Sequence, residues 1–144
     1  MLEFHLSHPR GLGALADWPH SGAAGGAACG DLVRIAVRVE GDTVVEAGFD
    51  AEGCGAARAA GSAVVELVEG AAFIDAARVT IDDVAGALGG LVPPKRHAAQ
   101  LASDALHRAL GAAARAGAPR LEPSARRTLV AVSGGVDSAA AAQL

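Results

Sequence analysis

Asp31-Leu32-Val33-Arg34-Ile35-Ala36-Val37-Arg38-Val39-Glu40, then Gly41-Asp42, then Thr43-Val44-Val45-Glu46-Ala47-Gly48-Phe49-Asp50, reads as a β-hairpin. Val33, Ile35, Val37 and Val39 recur at period two, which marks one apolar face of a half-buried strand. Glu40-Gly41-Asp42 is a tight-turn signal, so Thr43 to Asp50 returns as the antiparallel partner. From Cys54 the period becomes helical. Ala57, Ala60, Gly61, Val64 and Val68 share a face, Arg58, Glu66 and Glu69 lie off it, and Gly70 suits the helix C-terminus.

On the N-terminal side, residues 1–30 open with a short polar segment and close with a Gly/Ala stretch, Ser21 to Gly30, that reads as a mobile loop. Downstream, Thr80-Ile81-Asp82-Asp83 opens a short helix with Thr80 as N-cap, running into Gly89-Gly90. Pro93-Pro94 reads as an extended break. Ala98, Leu101, Ala102, Ala105, Leu106, Ala109 and Leu110 then form the apolar stripe of the clearest helix. The predicted class is α+β, a small antiparallel sheet packed with helices.

After Ala116 the character changes. Three units follow from the pattern: a domain over 1–116, a Pro/Gly/Arg linker over 117–127, and a fragment over 128–144. In that fragment the apolar strand Thr128 to Val132 runs into Ser133-Gly134-Gly135-Val136-Asp137-Ser138 and an alanine-rich helix start. Glycines in this setting let backbone N–H groups cradle an anion. One strand and a partial helix cannot bury a core, so the chain as given is not expected to be an enzyme.

At 144 residues, 51% hydrophobic and 19% charged, the chain is long enough for one globular core. Aromatics are only 3%, so that core is expected to be thin, built from Val, Leu, Ile and close helix contacts. A net charge of −4 argues against a nucleic-acid surface over most of the chain. No apolar run is long enough to span a bilayer, and Met1-Leu2-Glu3-Phe4-His5 is not a secretory signal, so the expected location is cytoplasmic, with no membrane partner. In that reducing compartment the 2 cysteines, Cys29 and Cys54, read as catalytic or metal-binding, the alternative being small buried hydrophobes. Two thiols cannot build a four-thiolate site, so a metal would need His or carboxylate partners, or a second subunit. Antiparallel pairing puts Cys29 and Cys54 at one end of the hairpin, and Cys54 at a helix N-terminus favourable to a thiolate.

His8-Pro9-Arg10, Ala28-Cys29-Gly30-Asp31, Glu52-Gly53-Cys54-Gly55 and Pro93-Pro94-Lys95-Arg96-His97, continuing through Leu101-Ala102-Ser103-Asp104-Ala105-Leu106, together resemble the IscU/NifU iron–sulfur cluster scaffold pattern. The resemblance implies assembly of iron and sulfide, with sulfur from a cysteine desulfurase and delivery to acceptor apo-proteins. It implies Cys29, Cys54 and His97 as ligands and Asp31 as the aspartate that tunes lability. The family's third cysteine directly follows the histidine, and here that position is Ala98. The family's chaperone-recognition stretch appears only as Leu91-Val92-Pro93-Pro94-Lys95. Two sulfur, one nitrogen and one oxygen donors suit tetrahedral zinc as well as a labile [2Fe–2S] cluster. A structural zinc-binding interaction domain that docks the desulfurase without building clusters is the alternative. Taken alone, His97 reads as a solvated side chain beside a helix N-terminus, and Asp31 as a turn residue or strand-start cap.

The C-terminal fragment resembles the PP-loop start of tRNA 2-thiouridylases. That resemblance implies that Ser133, Gly134, Gly135, Asp137 and Ser138 would hold ATP, and that tRNA would be engaged, only in a full-length fusion. The scaffold-like domain would then be a sulfur-handling module ahead of a tRNA-thiolating enzyme.

Overall fold

A computed structural model describes residues 1–13, 19–26 and 30–118. In chain order its elements are α1 (Leu2–Ser7), β1 (His20–Gly25), β2 (Leu32–Glu40), β3 (Thr43–Glu52), α2 (Gly55–Val68), α3 (Phe73–Ala77), α4 (Ile81–Ala87), a 3-10 turn (Pro93–Lys95) and α5 (Arg96–Arg115). The sheet is antiparallel, in the order β1-β2-β3.

The predicted hairpin forms, with Val33 opposite Ala51, Ile35 opposite Phe49 and Val37 opposite Ala47, and a bulge between Arg38 and Val39. Those six side chains face the helices, and all but the half-buried Ala51 are fully buried. The opposite face carries cross-strand charge pairs, Arg34 with Asp50 and Arg38 with Glu46, the latter at 3.0 Å. α2 lies over β3, and α5 over β1 and β2. Phe49 fills the space beneath α2 because residue 61 is glycine. A Cβ there would sit 2.3 Å from the Phe49 ring.

Three expectations are corrected. His20 to Gly25 is not a loop but an edge strand, paired with Leu32 to Val37. Small residues are required there because α5 crosses so closely. A Cβ on Gly22 would lie 2.4 Å from the Ala109 backbone nitrogen and 2.6 Å from the Ala105 carbonyl oxygen. The polar opening segment is a helix, α1, held to α2 by a buried node. Ser62 Oγ shares a 2.7 Å hydrogen bond with His5 Nδ1 and accepts the Arg10 N–H at 2.9 Å. A helix of 6 residues does not persist alone, so this docking is what forms it. Pro93-Pro94 is not extended. Proline's fixed φ and missing N–H suit the first turn of a helix, and here they begin a 3-10 turn that feeds α5.

The other helix expectations hold. Thr80 caps α4 in a reciprocal capping box with Asp83. The α5 stripe is buried except for the half-buried Leu101. No helix among the described residues is long and apolar enough to cross a membrane.

Candidate metal centre

Three chain segments meet at one end of the sheet. Asp31 lies just before β2, Cys54 is the N-cap residue of α2, and His97 lies in the first turn of α5. The hairpin brings the first two together, since Leu32 pairs with Glu52 and the chain turns directly into α2. α5 delivers the third from the far side of the sequence.

Asp31 is at the centre and is only 4% exposed. Its Oδ1 accepts the backbone N–H of Cys54 at 2.8 Å. Its Oδ2 lies 3.2 Å from Cys54 Sγ and 2.8 Å from His97 Nε2. The Cys54 N–H is the main influence holding the Asp31 carboxyl below its ordinary value. Burial acts in the opposite sense and is outweighed once the His97 and Cys54 side chains add their hydrogen bonds.

His97 faces an acceptor on each side. Nδ1 is 3.0 Å from the Pro94 carbonyl oxygen, and Nε2 is 2.8 Å from Asp31 Oδ2. Both contacts are hydrogen bonds only for a doubly protonated ring. A ring that keeps Nδ1–H on the Pro94 carbonyl and offers the Nε2 lone pair to a cation satisfies the same geometry. A backbone carbonyl behind a ligating histidine is a recurrent outer-shell partner.

Asp31 Oδ2, Cys54 Sγ and His97 Nε2 are a compact donor set, with ligand atoms within 4.8 Å of one another. Ligand atoms around tetrahedral zinc lie about 3.3–3.8 Å apart, given metal–ligand bonds of roughly 2.0–2.3 Å. Contacts of 2.8 and 3.2 Å therefore need to open by well under 1 Å to admit an ion. Mixed O, N and S donors suit zinc or ferrous iron better than magnesium or calcium.

Of the residues expected at the site, Asp31, Cys54 and His97 are brought together. Cys29 lies outside the described residues, as do Ser133, Gly134, Gly135, Asp137 and Ser138. The described residues flanking Cys29 are tied together, with Gly30 N–H on the Gly26 carbonyl at 2.9 Å and Gly26 N–H on the Asp31 carbonyl at 3.2 Å. Ala98 is fully buried in the core. Two contributors escape a side-chain reading of the sequence, the Cys54 amide and the Pro94 carbonyl. Their only trace is a glycine before the cysteine and a proline pair just before the histidine.

Residues 2–116 match the family model described as NifU-like N terminal domain. The chain is 45% identical over 151 aligned positions to the bifunctional protein NifU/MnmA of Rubrobacter xylanophilus, an alignment covering 97% of this chain and 31% of that protein. The chain thus spans about a third of that relative's length. It is 39% identical over 106 positions to the iron-sulfur cluster assembly scaffold protein IscU 1 of Archaeoglobus fulgidus, covering 74% of this chain and 69% of the relative. The N-terminal NifU-like protein of Brucella abortus shares the fold at a TM-score of 0.61 and 20% identity, over 79% of this chain and 91% of that one. On the family match and the A. fulgidus identity, the chain belongs to the NifU-like N-terminal domain family.

Proposed function

We propose that residues 1–116 are a scaffold that receives iron and sulfide, or holds zinc, at Asp31, Cys54 and His97, with Cys29 as the fourth donor. The observation that carries this reading is the convergence of Oδ2, Sγ and Nε2 within 4.8 Å of one another at the meeting point of three chain segments. A cysteine desulfurase supplies the sulfur in this reading, and acceptor apo-proteins or a fused thiouridylase take it on. The R. xylanophilus alignment supports the fusion. It covers 97% of the 144 residues, about 140, and so runs past residue 116. Tethering a sulfur-handling domain ahead of a tRNA-thiolating enzyme raises the local concentration of donor at the acceptor. ATP and tRNA would be engaged only in a full-length fusion, through the loop at Ser133 to Ser138, and no thiolation is expected of this chain alone.

A second reading, a zinc-holding docking domain that builds no cluster, is favoured by one observation. Ala98 is a buried methyl where the family pattern has a third thiol. Anaerobic reconstitution with iron, sulfide and a desulfurase tests both. The scaffold reading expects iron with acid-labile sulfide, lost on Cys54→Ser. Zinc at one equivalent with no labile sulfide supports the docking domain, and no metal bound through Cys54 refutes both. Ala98→Cys is expected to increase retained iron and sulfide in a scaffold.

A further inference from the structure

We propose that Gly53 is a positioning residue that divides the two oxygens of Asp31 between the backbone and the bound ion, so that Asp31 ligates through Oδ2 alone. The inference rests on the metal reading above and goes beyond it by fixing how the carboxylate binds and which cations it accepts.

Gly53 has φ +111°, and the space where its Cβ would stand is occupied by Asp31. A Cβ there would lie 2.0 Å from Asp31 Oδ1 and 2.9 Å from Asp31 Cα and Cγ. The carboxylate cannot retreat freely. Asp31 is held at the strand start by its own carbonyl, which accepts the Gly26 N–H, and by the pairing of Leu32 with Glu52 one residue on. Only a residue without a side chain lets Asp31 press against the Gly53–Cys54 backbone and take the Cys54 N–H at 2.8 Å. That bond commits Oδ1. Oδ2 is then the oxygen turned toward Cys54 Sγ and His97 Nε2.

The consequence is selectivity by denticity. A carboxylate with one oxygen committed to the backbone is a one-atom ligand. Beside one thiol and one imidazole it suits a small four-coordinate cation such as zinc or ferrous iron. Calcium gathers 6–8 oxygens, often through two-oxygen carboxylates, and is disfavoured by the same arrangement.

The test uses the full chain, zinc affinity by competition with a chromophoric chelator, and the cobalt(II) absorption spectrum. Gly53→Ala is expected to bind zinc roughly 10–100-fold more weakly, the usual effect of disturbing a ligand's outer partner, and to alter the cobalt bands. Gly70→Ala is the control for backbone strain. Gly70 has φ +85° with nothing within 4 Å of its Cβ position, so zinc affinity should be unchanged. Asp31→Asn supplies a second arm should Gly53→Ala not fold. Its side-chain oxygen can still accept the Cys54 N–H, so that amide should stay slow to exchange in the metal-free protein, while zinc affinity falls. Wild-type affinity in Gly53→Ala, an equal loss in Gly70→Ala, or undiminished affinity in Asp31→Asn overturns the role of Gly53. Wild-type zinc binding that survives Cys54→Ser overturns the metal reading itself, and this inference with it.

Discussion

Asp31 accepts the Cys54 amide on one oxygen and faces Cys54 Sγ and His97 on the other. These donors favour its ionised form, the Cys54 N–H most of all, so the folded-state carboxyl titrates below the ordinary 3.8. The folded value lies under the unfolded one. The stabilisation from Asp31 is therefore complete above the unfolded value and is lost as pH falls through the folded one. In urea unfolding of the metal-free chain, the stability gap between wild type and Asp31→Asn should shrink as pH drops below about 4. A gap that widens on acidification would contradict the hydrogen bonding described. His97 and Cys54 are legible in the sequence because their chemistry is in their side chains. Gly53 acts by lacking one and Pro94 acts through a carbonyl, so neither carries a side-chain signal of its role.

At the scale of elements, β2, β3 and α5 are legible because each buries one face against solvent on the other, and that contrast is written in their residues. β1 is not, because its sequence answers to a different demand. His20-Ser21-Gly22-Ala23-Ala24-Gly25 lacks the branched side chains that mark strands, and at Gly22 α5 lies where one would stand. Glycine and alanine in such a place signal close approach of another backbone as much as mobility. Gly22→Ala tests this directly. The new methyl would meet main-chain atoms of Ala105 and Ala109, which cannot swing aside as a side-chain end can. A loss of about 1–3 kcal/mol is expected, measured as a lower urea midpoint. An unchanged midpoint would mean the seam is looser than described. α1 was hidden for another reason: its helix depends on the buried His5–Ser62 contact, which joins residues 57 positions apart.

For the whole molecule, the three donors belong to segments that the sequence separates and the fold joins. A bound ion therefore closes a loop running from the start of β2 to the start of α5. An ion that binds only the folded chain stabilises it by mass action, about 2.7 kcal/mol at a free concentration a hundred times Kd. Zinc should accordingly raise the thermal midpoint of the chain, and Cys54→Ser should remove most of that increase. Equal stabilisation of both proteins would place the zinc elsewhere.

α5 has one more property that follows from its seam with β1. Its 20 residues extend about 30 Å at 1.5 Å per residue. Where it crosses β1, main-chain atoms of Ala105 and Ala109 close on Gly22, and the Arg108 guanidinium donates to the Ala23 carbonyl at 2.6 Å, so the helix is pinned to the strand on both counts. The helix is thus built as a stiff rod, with the imidazole of His97 in its first turn and Arg115, leading into the remaining chain, at its last. Tension applied beyond Arg115 would be carried along that rod as a shift of the imidazole relative to Asp31 and Cys54.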